Sequence, residues 1–159
     1  MSWEGISTIA EVVGAIAVVV SLIYLGLQVN HGNKLSRANS FYGINNQFAS
    51  VFSQLASDAE LVRICCAAAD GEVLSKEEFA RYTAYLCTYF AFLENAFVQI
   101  QSGLFSVELG TDDITEFMVP QYKKYLTSEQ SIEWWKTEGK GVFSPEFHKS
   151  VSRHMRIDD

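Results

Sequence analysis

The chain has 159 residues, room for one domain with a real core beyond a single membrane helix. Its formal charge is −7, and all 12 Lys and Arg follow residue 29 together with 17 of the 19 acids, an acidic balance that argues against nucleic acid as a partner. Two Pro against eleven Phe, seven Tyr and three Trp favour long helices over a turn-rich β fold.

The first predicted element is apolar. Residues 12–27 carry no charge and are dominated by Val, Ile, Leu and Ala. These sixteen residues give roughly 24 Å of helix, short of the ~30 Å hydrocarbon core. Extension to Ile6 and Val29 gives about 36 Å and admits Ser7, Thr8, Glu11 and Gln28 near the ends. Trp3 and Tyr24 fall about 31 Å apart on such a helix, which suits aromatic anchors at two interfaces. The expectation is a single transmembrane helix over residues 1–29, followed by an α-helical domain over residues 30–159. A buried core helix of a soluble protein is the alternative.

The flank Met1-Ser2-Trp3-Glu4 lacks the positive charge of a signal peptide, and Leu25-Gly26-Leu27-Gln28 offers no small-x-small cleavage pattern, so the segment is expected to stay attached. Glu4 and Glu11 precede most of the span, whereas Lys34 and Arg37 follow it as interfacial anchors. The positive-inside rule then places the larger domain in the cytoplasm. Cys65, Cys66 and Cys87 fit a reducing compartment, because an odd count with two adjacent thiols is a poor disulfide framework. They are expected to be buried and inert.

The predicted span has two faces. Ser7, Ala10, Gly14, Ala17, Ser21, Tyr24 and Gln28 recur at spacings of three and four, with Glu11 beside them. Ile9, Val13, Ile16, Val20, Ile23 and Leu27 form a bulky face opposite. Small residues allow close backbone approach where lipid supplies no hydrophobic drive, so the first stripe is expected to make a helix–helix contact or, in a ring of copies, to line a pore.

Beyond Asn30 the helical rhythm continues through Leu35, Ala38, Phe41, Ile44, Phe48, Val51, Phe52 and Leu55, with Gly32 and Gly43 weakening the helix without ending it. Asp58 or Ser57 is expected to cap a second helix ending near Ala69, with Gly71 as its stop. Ser75-Lys76-Glu77-Glu78 reads as a capping box opening the central helix, residues 76–102, with Phe79, Tyr82, Leu86, Tyr89, Leu93, Phe97 and Ile100 as its core stripe and Gly103 as its end. A fourth helix is expected from Thr111-Asp112-Asp113 to Tyr125, bent near Pro120. Ser128 or Thr127 should cap a fifth, carrying Trp134 and Trp135 and closed by Gly139 and Gly141. Ser144-Pro145-Glu146 opens the last.

Few residues suggest chemistry. Asp70-Gly71-Glu72-Val73 echoes half of a calcium loop, but aligning Gly71 to the turn glycine puts Cys66 and Ala68 where carboxylate ligands belong. His31, His148 and His154 lack metal-ligand spacing. Glu108, Asp112, Asp113 and Glu116 suit the start of a helix, complementing its dipole. Trp134 and Trp135 read as core aromatics. Phosphate-cradling loops, dinucleotide glycines and nucleophile elbows have no counterpart, and no cofactor, metal site or catalytic residue is expected.

Two stretches together carry a resemblance. One is Ile9-Ala10-Glu11-Val12-Val13-Gly14-Ala15-Ile16-Ala17-Val18-Val19-Val20-Ser21-Leu22-Ile23-Tyr24-Leu25, followed by Gln28. The other is Trp134-Trp135 followed by Phe143-Ser144-Pro145-Glu146-Phe147. The combination resembles an uncharacterised family of short bacterial proteins with an N-terminal membrane helix and an α-helical cytoplasmic domain. Such proteins often have an Arg soon after the Gln, where this chain has Asn30 and His31. The resemblance implies a bacterial inner-membrane location and supplies no activity. The overall expectation is an all-α, single-pass, non-enzymatic protein that meets the lipid bilayer and self-associates into a homo-oligomer. An ion-conducting pore and an accessory subunit packed on another membrane protein are the alternatives.

Overall fold

The computed structural model describes residues 3–103 and 114–157, with side chains described for residues 11–103 and 119–157. Every regular element among them is helical. The chain divides into two compact units, residues 1–39 and residues 40–159.

Helix α1 spans Trp3–Ser57 without interruption. Gly32 and Gly43 stay inside it, as the periodicity predicts, since an isolated glycine costs a helix only about 1 kcal/mol relative to Ala. Within the second unit α1 packs on α3 (Lys76–Gln101). Phe48 meets Phe92 with ring centroids 5.8 Å apart, Asn95 Nδ2 donates to Gln47 Oε1 at 2.6 Å, and Val51 is buried.

Helix α2 (Ala59–Ala69) starts where expected, with Asp58 Oδ1 accepting from the Leu61 amide at 3.0 Å. The other oxygen of the same carboxylate takes a 2.7 Å bond from Arg81, so the cap also ties α2 to α3. Arg63 adds a second tie by bridging Glu60 and Glu78. The helix ends in a Schellman arrangement, with Glu72 N–H donating to Ala67 O and Gly71 N–H to Ala68 O. Gly71 sits there at φ +80°, a left-handed conformation that glycine adopts without a Cβ clash.

The capping box of α3 is present in both directions. Glu78 N–H donates to Ser75 Oγ at 3.3 Å and Ser75 N–H to Glu78 Oε2 at 2.9 Å. The helix buries Tyr82, Tyr85, Leu86, Tyr89, Phe90, Leu93, Ala96, Phe97 and Ile100, which makes it the central element of the domain. Phe79 is half-buried rather than core, one correction to the predicted stripe. Helix α4 is described over Ile114–Tyr125 and holds Pro120 in its interior. Its expected start at Thr111-Asp112-Asp113 lies outside the described residues.

The expected stop at Gly139 and Gly141 does not occur. Helix α5 (Glu129–Trp134), capped by Ser128, runs into a π-helical turn at Trp135–Gly139 and then α6 (Lys140–Val142). Neither glycine takes a left-handed conformation, so neither ends the helix. Gly139 has a packing reason instead, because a Cβ there would lie 3.3 Å from Trp135 Cε3. Helix α7 (Pro145–Met155) begins with Pro at its first turn, as predicted. Ser144 holds the N-cap position but its side chain makes no capping bond; its amide donates to Glu94 Oε1 of α3 at 2.7 Å.

The core is aromatic. Trp135 is fully buried and surrounded by Phe90 at 4.8 Å, Phe143 at 5.3 Å, Phe147 at 6.3 Å and His148 at 4.8 Å between ring centroids. Tyr85, Tyr89 and Tyr125 form a second group between α3 and α4, with centroids 4.4 Å apart for Tyr89 and Tyr125.

Candidate functional site

The first candidate is the apolar helix. In the first unit α1 has no second element to pack against, and its large apolar residues from Val12 to Val29 are 54–63% exposed. Among the described residues α1 is the one helix long and apolar enough to cross a membrane. Exposing so many contiguous Val, Ile and Leu side chains to water opposes the hydrophobic effect at roughly 25 cal/mol per Å². An environment of lipid or another apolar helix removes that cost.

The sequence-predicted contact residues lie on this helix. Glu11, Gly14, Ala17, Ser21, Tyr24 and Gln28 are exposed, as are Lys34 and Arg37 after them. Trp3, Ser7 and Ala10 fall in the same helix, and their side chains lie outside the described residues. Two polar side chains of the stripe each donate a hydrogen bond within the helix. Ser21 Oγ donates to Ala17 O at 2.7 Å, and Gln28 Nε2 donates to Tyr24 Oη at 2.7 Å. Such internal bonds lower the cost of polar side chains where water is absent.

The residues considered for chemistry take structural places. His148 is buried, stacks on Trp135 at an interplanar angle of 8°, and its Nε2 lies 3.0 Å from Trp135 O. His154 Nδ1 bonds Ser150 O one turn back, and His31 is exposed on α1. Trp134 and Trp135 are both core residues, and Trp135 Nε1 donates to Ser152 Oγ at 3.1 Å. Gly71 caps a helix, and Cys66 and Ala68 lie within α2, so the region takes the form of a helix–turn–helix link. Glu108, Asp112 and Asp113 lie outside the described residues, as does the side chain of Glu116. No group of three or more His, Cys, Asp and Glu converges among the described residues.

The cysteines differ from expectation. Cys65 and Cys87 are half-buried, and Cys66 is exposed. Adjacent helical residues point about 100° apart, so a core-facing Cys65 turns its neighbour outward. Burial pushes the Cys65 thiol up to about 11 and raises Cys87 in the same direction. Burial likewise raises Tyr82, Tyr85 and Tyr89, leaving their hydroxyls as neutral hydrogen-bonding groups. Tyr82 donates to Tyr125 O at 2.7 Å and Tyr89 to Gln121 Oε1 at 2.8 Å.

A second candidate was not visible in the sequence. A groove of about 550 Å³ lies between the α2–α3 turn and the α5–π segment. Val73, Phe79 and Trp134 supply apolar surface, and Glu72, Glu129, Glu133 and Glu138 supply carboxylates. Gln130 holds the two walls together, accepting from Leu74 N–H at 2.9 Å and donating to Leu74 O at 3.4 Å. Val73, next to Leu74, is 85% exposed at the lip. Glu129 and Glu133 follow helical spacing, but their convergence with residues 71–79 depends on a contact across 56 positions.

Compared with protein-family models, curated proteins and solved structures, the chain matches none.

Proposed function

We propose that this is a single-pass membrane protein whose α-helical domain has a non-enzymatic assembly role. The observation that carries the reading is the bare apolar surface of α1, which has no partner element within its own unit. The span comprises residues 6–29, and Lys34 and Arg37 after it favour a cytoplasmic domain, in a bacterial inner membrane as the resemblance implies. Self-association proceeds through the face of Ser7, Ala10, Glu11, Gly14, Ala17, Ser21, Tyr24 and Gln28. The internal bonds of Ser21 and Gln28 support a packed face over a water-lined pore, because a pore works through polar groups turned to its lumen. An accessory subunit packed on a different membrane protein uses the same face.

Two measurements test the proposal. Membranes containing the chain are washed at alkaline pH, and the protein is then extracted in mild detergent and its protein mass measured by light scattering. Retention in the washed membrane and a whole-number multiple of 17.8 kDa are the expected results. Release into the alkaline supernatant overturns the membrane reading. A monomer, or a particle carrying a second polypeptide, overturns self-association and leaves the accessory-subunit reading.

A further inference from the structure

The second unit begins with a stretch of helix whose outer face does not suit water. Residues 38–57 of α1 include no Asp, Glu, Lys or Arg, although 19% of the chain is charged. Ile44, Val51, Phe52 and Leu55 account for one side of this stretch, because they pack on the core. At 100° per residue, Tyr42, Asn45, Ala49 and Ala56 lie roughly 100–160° around the helix from Ile44 and turn away from that core. All four are exposed, Tyr42 at 66%. A surface helix ordinarily sets charged side chains opposite its core stripe. Here a phenol, two methyl groups and a carboxamide take that place.

An exposed surface that carries an aromatic ring and lacks charge has the composition of the centre of a protein interface. This face also suits its own copy. A twofold contact brings each residue near itself, so a charged face meets like charge and an uncharged one does not. Helices α2, α3, α4, α5 and α7 all expose charged side chains, among them Glu60, Glu77, Lys123, Glu129 and Lys149. In a chain of formal charge −7, residues 38–57 are where two copies approach without opposed charges. In the sequence, positions 42, 45, 49 and 56 also keep the three-and-four spacing of the stripe from Ser7 to Gln28, by way of His31, Leu35 and Ala38.

We infer that Tyr42, Asn45, Ala49 and Ala56 pack against the same residues of a second copy, as a parallel, in-register helix pair. The pair is parallel because spans inserted in one membrane with one orientation run the same way. Ala49 and Ala56 let the backbones approach, and Tyr42 adds apolar area at one end. The Asn45 carboxamide both donates and accepts, so it pairs with its own copy when the two helices stand in the same register. This deepens the assembly reading above and rests on it.

The test uses the full chain in mild detergent, with Cys66→Ser removing the exposed native thiol. A cysteine is introduced singly as Ala49→Cys, Ala56→Cys or Gln54→Cys. Disulfides formed between copies under a mild oxidant are then mapped by mass. Ala49 and Ala56 are about 10 Å apart along the helix, so same-position links at both require a parallel pair. Gln54 is exposed on another side of α1 and is the control. The Ala49→Cys and Ala56→Cys chains should link to themselves roughly tenfold faster than the Gln54→Cys chain. Adding Asn45→Lys, at an exposed position, sets like charges together only in the pair and should slow the Ala49→Cys link roughly tenfold. A same-position link at one site alone, equal rates at Gln54, or a link to a different polypeptide overturns this contact. So does the absence of links in a particle that keeps a multiple of 17.8 kDa, and assembly through the membrane helix then stands. A particle that stays monomeric removes both.

Discussion

Trp135 and His148 are joined twice, face to face with rings 4.8 Å apart and by a 3.0 Å contact from His148 Nε2 to the Trp135 carbonyl. A carbonyl only accepts, so the bond requires a proton on Nε2. The π-turn starts at this same Trp135, a wider turn than the α-helix around it. The aromatic core and the irregular backbone are therefore fastened by one buried histidine. His148→Phe keeps a ring for the stack and removes the donor, and it should cost about 1–3 kcal/mol, the range for leaving a buried acceptor without its partner. Denaturant unfolding followed by tryptophan fluorescence measures the change, and an unchanged midpoint would refute the role given to the bond.

The two glycines of this segment should respond in opposite directions. A Cβ at Gly139 meets Trp135 Cε3 at 3.3 Å, and Trp135 is fully buried among aromatic rings that leave it no room to yield. A Cβ at Gly141 meets nothing within 4 Å. Gly141→Ala should gain about 0.5–1 kcal/mol from helix propensity, whereas Gly139→Ala should lose at least that much through overpacking. Thermal melts of the two variants side by side check the contrast.

Local signals were legible in the sequence where side chain and backbone bond within one turn. Asp58, the capping box of Ser75 and Glu78, and Pro145 needed no tertiary information. The fifth helix was not legible in the same way. Gly139 and Gly141 look like stop signals, and what overrules them is Trp135, whose packing against Phe90, Phe143 and His148 comes from α3, the loop after α6, and α7. Ser144 shows the same limit, since its position at a helix start was visible but Glu94 as its amide's partner was not. The small-residue stripe of α1 can be laid out from the sequence because its residues lie on one helix. The acidic groove was hidden because Gln130 and Leu74, which join its walls, are 56 positions apart in the sequence.

Acid should loosen the junction of α2 and α3. Hydrogen bonds from Arg63, then from Ser75, hold the Glu78 carboxyl at about 2, below its ordinary 4.5. The Leu61 amide, with Arg81 nearby, lowers Asp58, and the bond from Arg63 lowers Glu60. A depressed folded-state value means that the contribution is fully present above about pH 4.5 and is lost as the pH falls toward 2. Unfolding midpoints measured across that window should fall with pH, and Glu78→Gln should flatten the slope. An identical slope in the variant would remove Glu78 from the account.

Thiol labelling should separate two adjacent residues. Cys66 is exposed, whereas Cys65 is half-buried with its thiol pushed up to about 11 by burial. Alkylation proceeds through the thiolate, so at neutral pH Cys66 should be modified well before Cys65 in the folded protein, and the two should converge in denaturant. Peptide mass mapping over time gives both rates. Equal rates in the folded state would contradict the orientation of α2.

The proposed self-association through α1 makes its sharpest demand on one small residue. A Cβ at Gly14 meets nothing within 4 Å in the single chain, so a larger side chain there costs the monomer no packing. Gly also has the poorer helix propensity, and Gly14→Leu should leave α1 intact or slightly better formed. In a pair of helices brought together along the small-residue stripe, the same leucine holds the backbones apart and forfeits contacts along several turns. Association in detergent should therefore weaken by roughly tenfold or more, equivalent to about 1.4 kcal/mol. Ile16→Leu, on the bulky face, should leave it unchanged. Light scattering across a dilution series reads both variants. Equal behaviour of Gly14→Leu and the parent chain would move the contact off this stripe, whereas matched losses in both variants would point to a general effect on the span.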